Sequence, residues 1–282
     1  PQPTAYGNRG FGIGITGNPK LKRISGFNNL SNARLGIALN DNLESIDIGP
    51  NSTSVALSVQ ANPTLKSIRW VVDEPIDSEA MEIGELRIEE ERLESIELDP
   101  RFQTIDKLTL RIPAANFPTL EFLRGLVSLG DGAIYLLSKD QSESSSSSLA
   151  GLDNLEFIEG HFGLSGFFLG FEHLSSLNSG SIGVGERPDA DVSFLEPLIP
   201  TVNRGDGPYN IYIIGCPNLA DISALLAISP EADISVSASH NPRLPQCQVD
   251  AIWSHLYGED SEYLGGDYGN GTALEDPYGD CD

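Results

Sequence analysis

The feature that most constrains this chain is a leucine that returns at a nearly fixed interval. Asn18-Pro19-Lys20-Leu21-Lys22-Arg23-Ile24 is followed by Asn42-Leu43-Glu44-Ser45-Ile46 and by Asn62-Pro63-Thr64-Leu65-Lys66-Ser67-Ile68. The theme returns in Arg92-Leu93-Glu94-Ser95-Ile96, Asn154-Leu155-Glu156-Phe157-Ile158, Asn218-Leu219-Ala220-Asp221-Ile222 and Asn241-Pro242-Arg243-Leu244. Leu21, Leu43, Leu65 and Leu93 stand 22, 22 and 28 residues apart, and Leu219 and Leu244 stand 25 apart. A period of that length marks stacked supersecondary units, none of which buries its apolar side alone.

Ahead of the leucines lie short alternating runs such as Leu35-Gly36-Ile37-Ala38-Leu39, Val55-Ala56-Leu57-Ser58-Val59 and Ile211-Tyr212-Ile213. Period two means a strand with one face inward and one outward. The asparagine that follows is expected to turn the corner, because asparagine tolerates left-handed dihedrals and its amide bonds neighbouring backbone. The leucine, and the isoleucine three residues on, then point inward. The reading is a right-handed β-solenoid of about nine to ten coils over residues 1–257, with Leu65 inside and Glu44 in water. Helical periodicity is scarce. Residues 249–257 (VDAIWSHLY) are expected to form a short helix capping the last coil, while 194–199 and 222–228 supply a turn or two. The polar run at 141–148 (QSESSSSS) and the stretch 72–81 are read as excursions outside the core.

The motif Asn18-Pro19-x-Leu21-x-x-Ile24-x-Gly26-Phe27 and its later copies, Gly151-Leu152-x-Asn154-Leu155 among them, resemble the receptor L-domain family. That family is a leucine-rich β-solenoid of growth-factor receptor ectodomains and of fungal and bacterial surface proteins. The close, Asn241-Pro242-Arg243-Leu244-Pro245-Gln246-Cys247 and an amphipathic stretch, is similar to that of the bacterial members. The resemblance covers residues 10–257 and fades at 116–123, where Pro118 enters the turn, and at 165–200. It implies the fold and a cell-surface setting and says almost nothing about activity.

Charge narrows the function. Asp and Glu number 41 against 17 Lys and Arg, a formal charge of −24, the opposite of a nucleic-acid-binding footprint. No apolar run approaches the roughly 18 to 20 residues of a bilayer span. Residue 1 is proline and the single methionine is Met81, so a secretory signal is expected to have been removed from an extracellular or cell-surface protein.

Catalytic motifs are missing. His161, His173, His240 and His255 pair at no ligand spacing, and no HExxH, CxxC, GxSxG, P-loop or GxGxxG is present. The acids Glu79, Glu82, Glu85, Glu89, Glu90, Glu91, Glu94, Glu97 and Asp99 form the densest cluster. Glu85, Arg87 and Glu89 flank inward Leu86 and Ile88, so the cluster reads as a solvated face without the concavity that tunes a catalytic pair. A non-catalytic module that binds a protein or glycan is the leading expectation, with Trp70, Tyr135, Tyr209 and Tyr212 as ligand-face aromatics. The alternative is a structural subunit stacked end to end into an extracellular filament or surface layer.

The tail, residues 258–282, holds eight acids and six glycines. Oxygen ligands on flexible loops suit calcium, and Asp267, Asp276 and Asp280 are the candidate ligands; no other cofactor is expected. Asn29, Asn51 and Asn270 begin N-glycosylation sequons.

Three cysteines leave one over. Cys247 opens the cap and Cys281 lies at the far end of a polar tail that nothing else would anchor, so these two are expected to form a disulfide, which implies an oxidising compartment. Cys216 is expected to be a buried free thiol. Non-reducing peptide mapping should recover Cys247 joined to Cys281 and leave Cys216 alkylatable only after denaturation; a peptide joining Cys216 to either would refute the pairing.

Overall fold

The computed structural model describes residues 11–27, 30, 33–49, 55–71, 80–137, 147–165, 168–185, 187, 189, 191–204 and 208–258. The alternating runs form strands β1 (Phe11–Thr16), β3 (Ala33–Ala38), β5 (Ala56–Gln60) and β7 (Met81–Glu89). Between them lie β2 (Arg23–Gly26), β4 (Ser45–Ile48) and β6 (Ser67–Trp70), and β8 (Ser95–Leu98) follows β7. The later strands are β9 (Phe102–Pro113), β10 (Ser128–Leu137), β11 (Ser147–Ser148), β12 (Phe157–Ser165) and β13 (Phe168–Leu169). Strands β14 (Ser179–Gly185), β15 (Tyr209–Ile214) and β16 (Ile234–Ser239) complete the set.

The fold is mostly β. Ten strands make one parallel sheet in the order β1-β3-β5-β7-β9-β10-β12-β14-β15-β16, β2-β4-β6-β8 make a second, and β11 pairs with β13. Neighbouring parallel strands require a crossover, and in the first repeats each crossover contributes a strand of the second sheet. Equivalent residues therefore stack: Ile13, Leu35, Leu57, Leu86 and Leu108 share one level, and Ile24, Ile46, Ile68 and Ile96 share another. The inward residues of both sheets join a single apolar core reaching from Ile24 to Leu256, with Leu65 wholly buried and Glu44 exposed.

After residue 120 the second sheet gives way to 3-10 turns at Glu121–Leu123, Phe171–Leu174, Ser193–Leu198 and Ser223–Ala227. The sequence dictates this. Leu120-Leu123-Leu126, Phe171-Leu174-Leu177, Val192-Leu195-Leu198 and Ile222-Leu225-Ile228 are buried triplets spaced by three, which matches a helix of about three residues per turn. The motif that fades over 165–200 is replaced there by this spacing.

Corners are stitched by the asparagine three residues before the repeated leucine. Asn40 accepts the backbone N–H of Asn18 at Oδ1 (3.1 Å) and donates Nδ2 to the carbonyls of Ile15 (3.0 Å) and Ala38 (2.9 Å). Asn62 repeats the pattern on the Asn40 N–H and the Ile37 and Gln60 carbonyls. Asn241 does so for the Cys216 N–H and the Ile213 carbonyl. Two expectations change. The second-copy residue is Asn40, not Asn42, whose Nδ2 caps the Pro19 carbonyl at the surface. The left-handed residue is the one before, at Gly17, Leu39, Ala61, Gly215 and His240, because these face solvent and absorb the reversal while the asparagine keeps its amide inside.

The polar excursion also ends earlier than its composition suggests. Ser147 is buried and donates its hydroxyl to the Phe117 carbonyl, and the Ser148 N–H bonds the Pro118 carbonyl. Met81 likewise belongs to β7 rather than to the second excursion.

Two α-helices are present among the described residues, α1 (Ile199–Val202) and α2 (Gln246–Tyr257), the latter starting three residues before the predicted cap. Helix α2 buries Val249, Ile252 and Leu256. Its Tyr257 hydroxyl accepts the Val236 N–H (3.2 Å) and donates to the Ile234 carbonyl (2.8 Å). Among the described residues no strand pairs with the other side of β16, and this phenol bonds two of its backbone groups.

Chemical denaturation should separate core, corner and surface. Leu65→Ala should cost ~2 to 5 kcal/mol, Asn40→Ala ~1 to 3 kcal/mol because it strands the Asn18 N–H and two carbonyls, and Glu44→Ala under ~0.5 kcal/mol. Equal effects at Leu65 and Glu44 would reverse the assignment of faces.

Candidate functional site

Every second strand residue of the ten-stranded sheet faces outward, and register decides which of these meet. Across β10, β12, β14 and β15, Ala133, Gly163, Gly183 and Tyr212 share one level, and Tyr135, Ser165, Gly185 and Ile214 share the next. The result is a trough of small side chains bordered by Tyr135 and Ile214, each 45% exposed, and by the half-buried Tyr212. Adjacent to it, His161, Ser181 and Asn210 occupy one outward level.

The imidazole of His161 lies over the glycine floor. A β-carbon at Gly183 would sit 2.5 Å from His161 Cε1, so any larger residue would displace the ring from this position. His161 Nδ1 is 3.1 Å from Ser181 Oγ, and the ring stands edge-on to Tyr212 with centroids 5.5 Å apart. The backbone N–H of His161 donates to Asp131 Oδ1 (3.0 Å), and a β-carbon at Gly160 would fall 2.0 Å from that oxygen. Asp131 holds the His161 backbone, while the ring nitrogen Nδ1 meets Ser181. The constellation offers hydrogen bonds and ring faces. Toward β7 and β9 the same outer face turns charged, with Glu85 opposite Lys107, Glu89 opposite Arg111, and Arg87 bonded to Glu89 at 2.7 Å.

The four aromatic candidates divide. Tyr135 and Tyr212 lie on this outer face. Trp70 is wholly buried, level with Ile48 and Leu98, and packs edge-to-face on Phe102 at 4.8 Å. Tyr209 is also buried, its hydroxyl donating to the Leu177 carbonyl (2.9 Å). Parity, not residue type, sends these two inward. His161, Ser181 and Asp131 were not singled out by the sequence; the available signal was the glycines inside strands, which mark close approach.

Cys216 is buried and is the free cysteine among the described residues, and Cys247 is not free. Cys281, the calcium candidates Asp267, Asp276 and Asp280, and the sequon residues Asn29, Asn51 and Asn270 lie outside the described residues. Among the described residues no three His, Cys, Asp or Glu side chains gather to hold a metal.

Not every member of the acid cluster is solvated. Glu90 is 3% exposed and occupies the asparagine position of its corner, accepting the Asn62 N–H at both carboxylate oxygens (3.0 Å each) and the Asn62 Nδ2 (2.8 Å). Burial pushes its pKa up to about 7, against the pull of the Asn62 donors and with help from Glu89 and Glu91. Asp99 is also buried, paired with Arg101 at 2.8 Å, and so is Arg187; burial lowers the Arg187 pKa while Asp189, 2.7 Å from Nε, opposes the shift. Its guanidinium also donates to the Phe168 carbonyl and lies 3.8 Å over the Phe194 ring. These buried charges are joints of the scaffold.

No family model, curated protein or solved structure matches the chain.

The Glu90 carboxyl makes stability depend on pH. Its pKa rises on folding from 4.5 to about 7, so the folded state binds the extra proton between those values. Stability should therefore fall as pH rises through that window and level off above it. Glu90→Gln keeps the acceptor for Asn62 without the charge, and urea titrations from about pH 5 to about pH 8 should show that part of the slope removed and the variant more stable than the parent at the alkaline end. An unchanged slope would show that Glu90 is not its source.

Proposed function

We propose that the chain is a right-handed β-solenoid of the receptor L-domain type, serving as a non-catalytic binding module outside the cell or at its surface. Support for the architecture comes from the alternation of strands between two parallel sheets, from in-register stacking of the repeats, and from the strong right-handed bias of parallel crossovers. The Cys247–Cys281 disulfide belongs to this proposal, and it fits an oxidising compartment. So does calcium held by Asp267, Asp276 and Asp280. No helix among the described residues is long and apolar enough to cross a membrane.

The observation that carries the function is the trough on the outer face between Tyr135 and Tyr212. A glycan fits it best. Sugar rings have apolar faces that stack on aromatic rings and edges lined with hydroxyls, and this surface sets aromatic rings beside His161, Ser181, Asn210 and Asp131. Three strand spacings, about 14 Å, separate Tyr135 from Ile214, so the ligand would run across the strands. A partner protein would use the same aromatic anchors.

A glycan array followed by titration calorimetry tests the proposal. Tyr212→Ala should weaken the best array ligand at least tenfold, and Gly183→Ala should do likewise by displacing His161, while Glu44→Ala leaves binding unchanged. An array without a ligand, or full affinity in both face variants, would remove the glycan reading.

A further inference from the structure

The two ends of the ten-stranded sheet are finished differently. At β16 the Tyr257 hydroxyl bonds the Val236 N–H and the Ile234 carbonyl, and α2 buries its apolar residues against the core. At β1 no described residue pairs with the outer edge, and the strand, FGIGIT, carries no charge, proline or bulge of the kind that protects an edge. Beside it Ile15, Pro19, Leu21, Ile24 and Phe27 line a shallow groove of about 800 Å³, with Lys20 at its rim. Ile13, Ile15, Leu21 and Phe27 are only partly buried against the core.

Charge is distributed just as unevenly. Residues 1–40 contain five bases (Arg9, Lys20, Lys22, Arg23, Arg34) and no acid, in a chain of net charge −24. Residues 241–282 contain one base, Arg243, and nine acids. Two of the bases at the β1 end already reach the next repeat, Arg23 to Asp47 at 3.1 Å and Lys22 to Glu44 at 3.8 Å, and Lys20 makes no described ion pair. One end of the sheet is apolar, unpaired at its edge among the described residues, and basic; the sequence beyond its opposite end is acidic.

We infer that the β1 end is a docking surface for a second copy of this chain, and that its occupant is the acidic carboxy-terminal stretch, residues 241–282, of that copy. The contact covers the open strand edge and the groove, and it brings the acids of one copy to Lys20 and Lys22 of the next. Such a contact is heterologous: each copy keeps one free basic end and one free acidic end, so association continues beyond a dimer. The rest of each molecule repels its neighbour, but that repulsion reaches only about 8 Å at physiological salt, while the opposed ends are in contact.

Sedimentation velocity on the full chain across a concentration series tests the polarity. The parent should form oligomers larger than dimers. A head variant, Lys20→Glu with Lys22→Glu, and a tail variant, Asp267→Asn with Glu275→Gln, Asp276→Asn and Asp280→Asn, should each associate at least tenfold more weakly. Mixed in equal amounts, the two should form dimers and nothing larger, since one supplies the acidic end and the other the basic end; this also shows that both are folded. A parent that stays monomeric at every concentration, as it would if its own tail filled the groove, overturns the inference. So does a tail variant that dimerises alone, or a mixture that fails to pair. The sheet-face site is separate, and glycan binding by the head variant should equal that of the parent whichever way this experiment falls.

Discussion

At four corners a backbone N–H needs an acceptor, and a side chain of the next repeat provides it. Asn40 serves Asn18, Asn62 serves Asn40, Glu90 serves Asn62 and Asn241 serves Cys216. An asparagine amide suits the position because it accepts from one repeat and donates to carbonyls of two strands at once. Leaving such groups unmet costs ~1 to 3 kcal/mol each, so the ladder fixes where these corners fall relative to their neighbours. Leucine spacing follows from that registry. Where the spacing lengthens to 28 residues, the corner changes too: no left-handed residue precedes Glu90, and the longer glutamate side chain reaches the site that asparagine fills elsewhere. The exchange carries a titratable group into the core and makes the corner sensitive to protonation.

Stacking in register separates scaffold from surface. Inward levels are held to leucine, isoleucine and valine because each must pack against its equivalents above and below. Outward levels are free to vary, and they do: charged pairs across β7 and β9, then alanine, glycine and serine between Tyr135 and Tyr212 across β10 to β15. A ligand face and a self-association end can therefore be written onto one scaffold without competing, the first on the broad face and the second on the edge of β1.

The parallel, mostly β architecture was legible because period two and the recurring leucine report directly on burial. The end helix was legible from the spacing of Val249, Ile252 and Leu256. Trp70 and Tyr209 misled because an aromatic residue suits a core and a binding face equally; only their alternation with Ile68 and Ile211 tells that they point inward. Asn42 drew attention from Asn40 because it touches the leucine in sequence, whereas the working position is three residues earlier. The trough was hidden for a different reason. His161, Gly183 and Tyr212 belong to three strands, and their meeting depends on a register that sequence spacing alone does not give.

Hydrogen exchange at the corner amides is the most direct test of the central claim, that the ladder joins the repeats. The N–H groups of Asn18, Asn40, Asn62 and Cys216 lie outside the strands, yet each is bonded to the next repeat. By residue-resolved NMR, Asn40, Asn62 and Cys216 should exchange as slowly as the central strand amides of β5 and β15, since they open only when the stack opens. Asn18, in the outermost repeat, should exchange faster than these but more slowly than an unbonded turn amide. Exchange of all four at the rate of exposed turns would show that the corners open independently and would contradict the account.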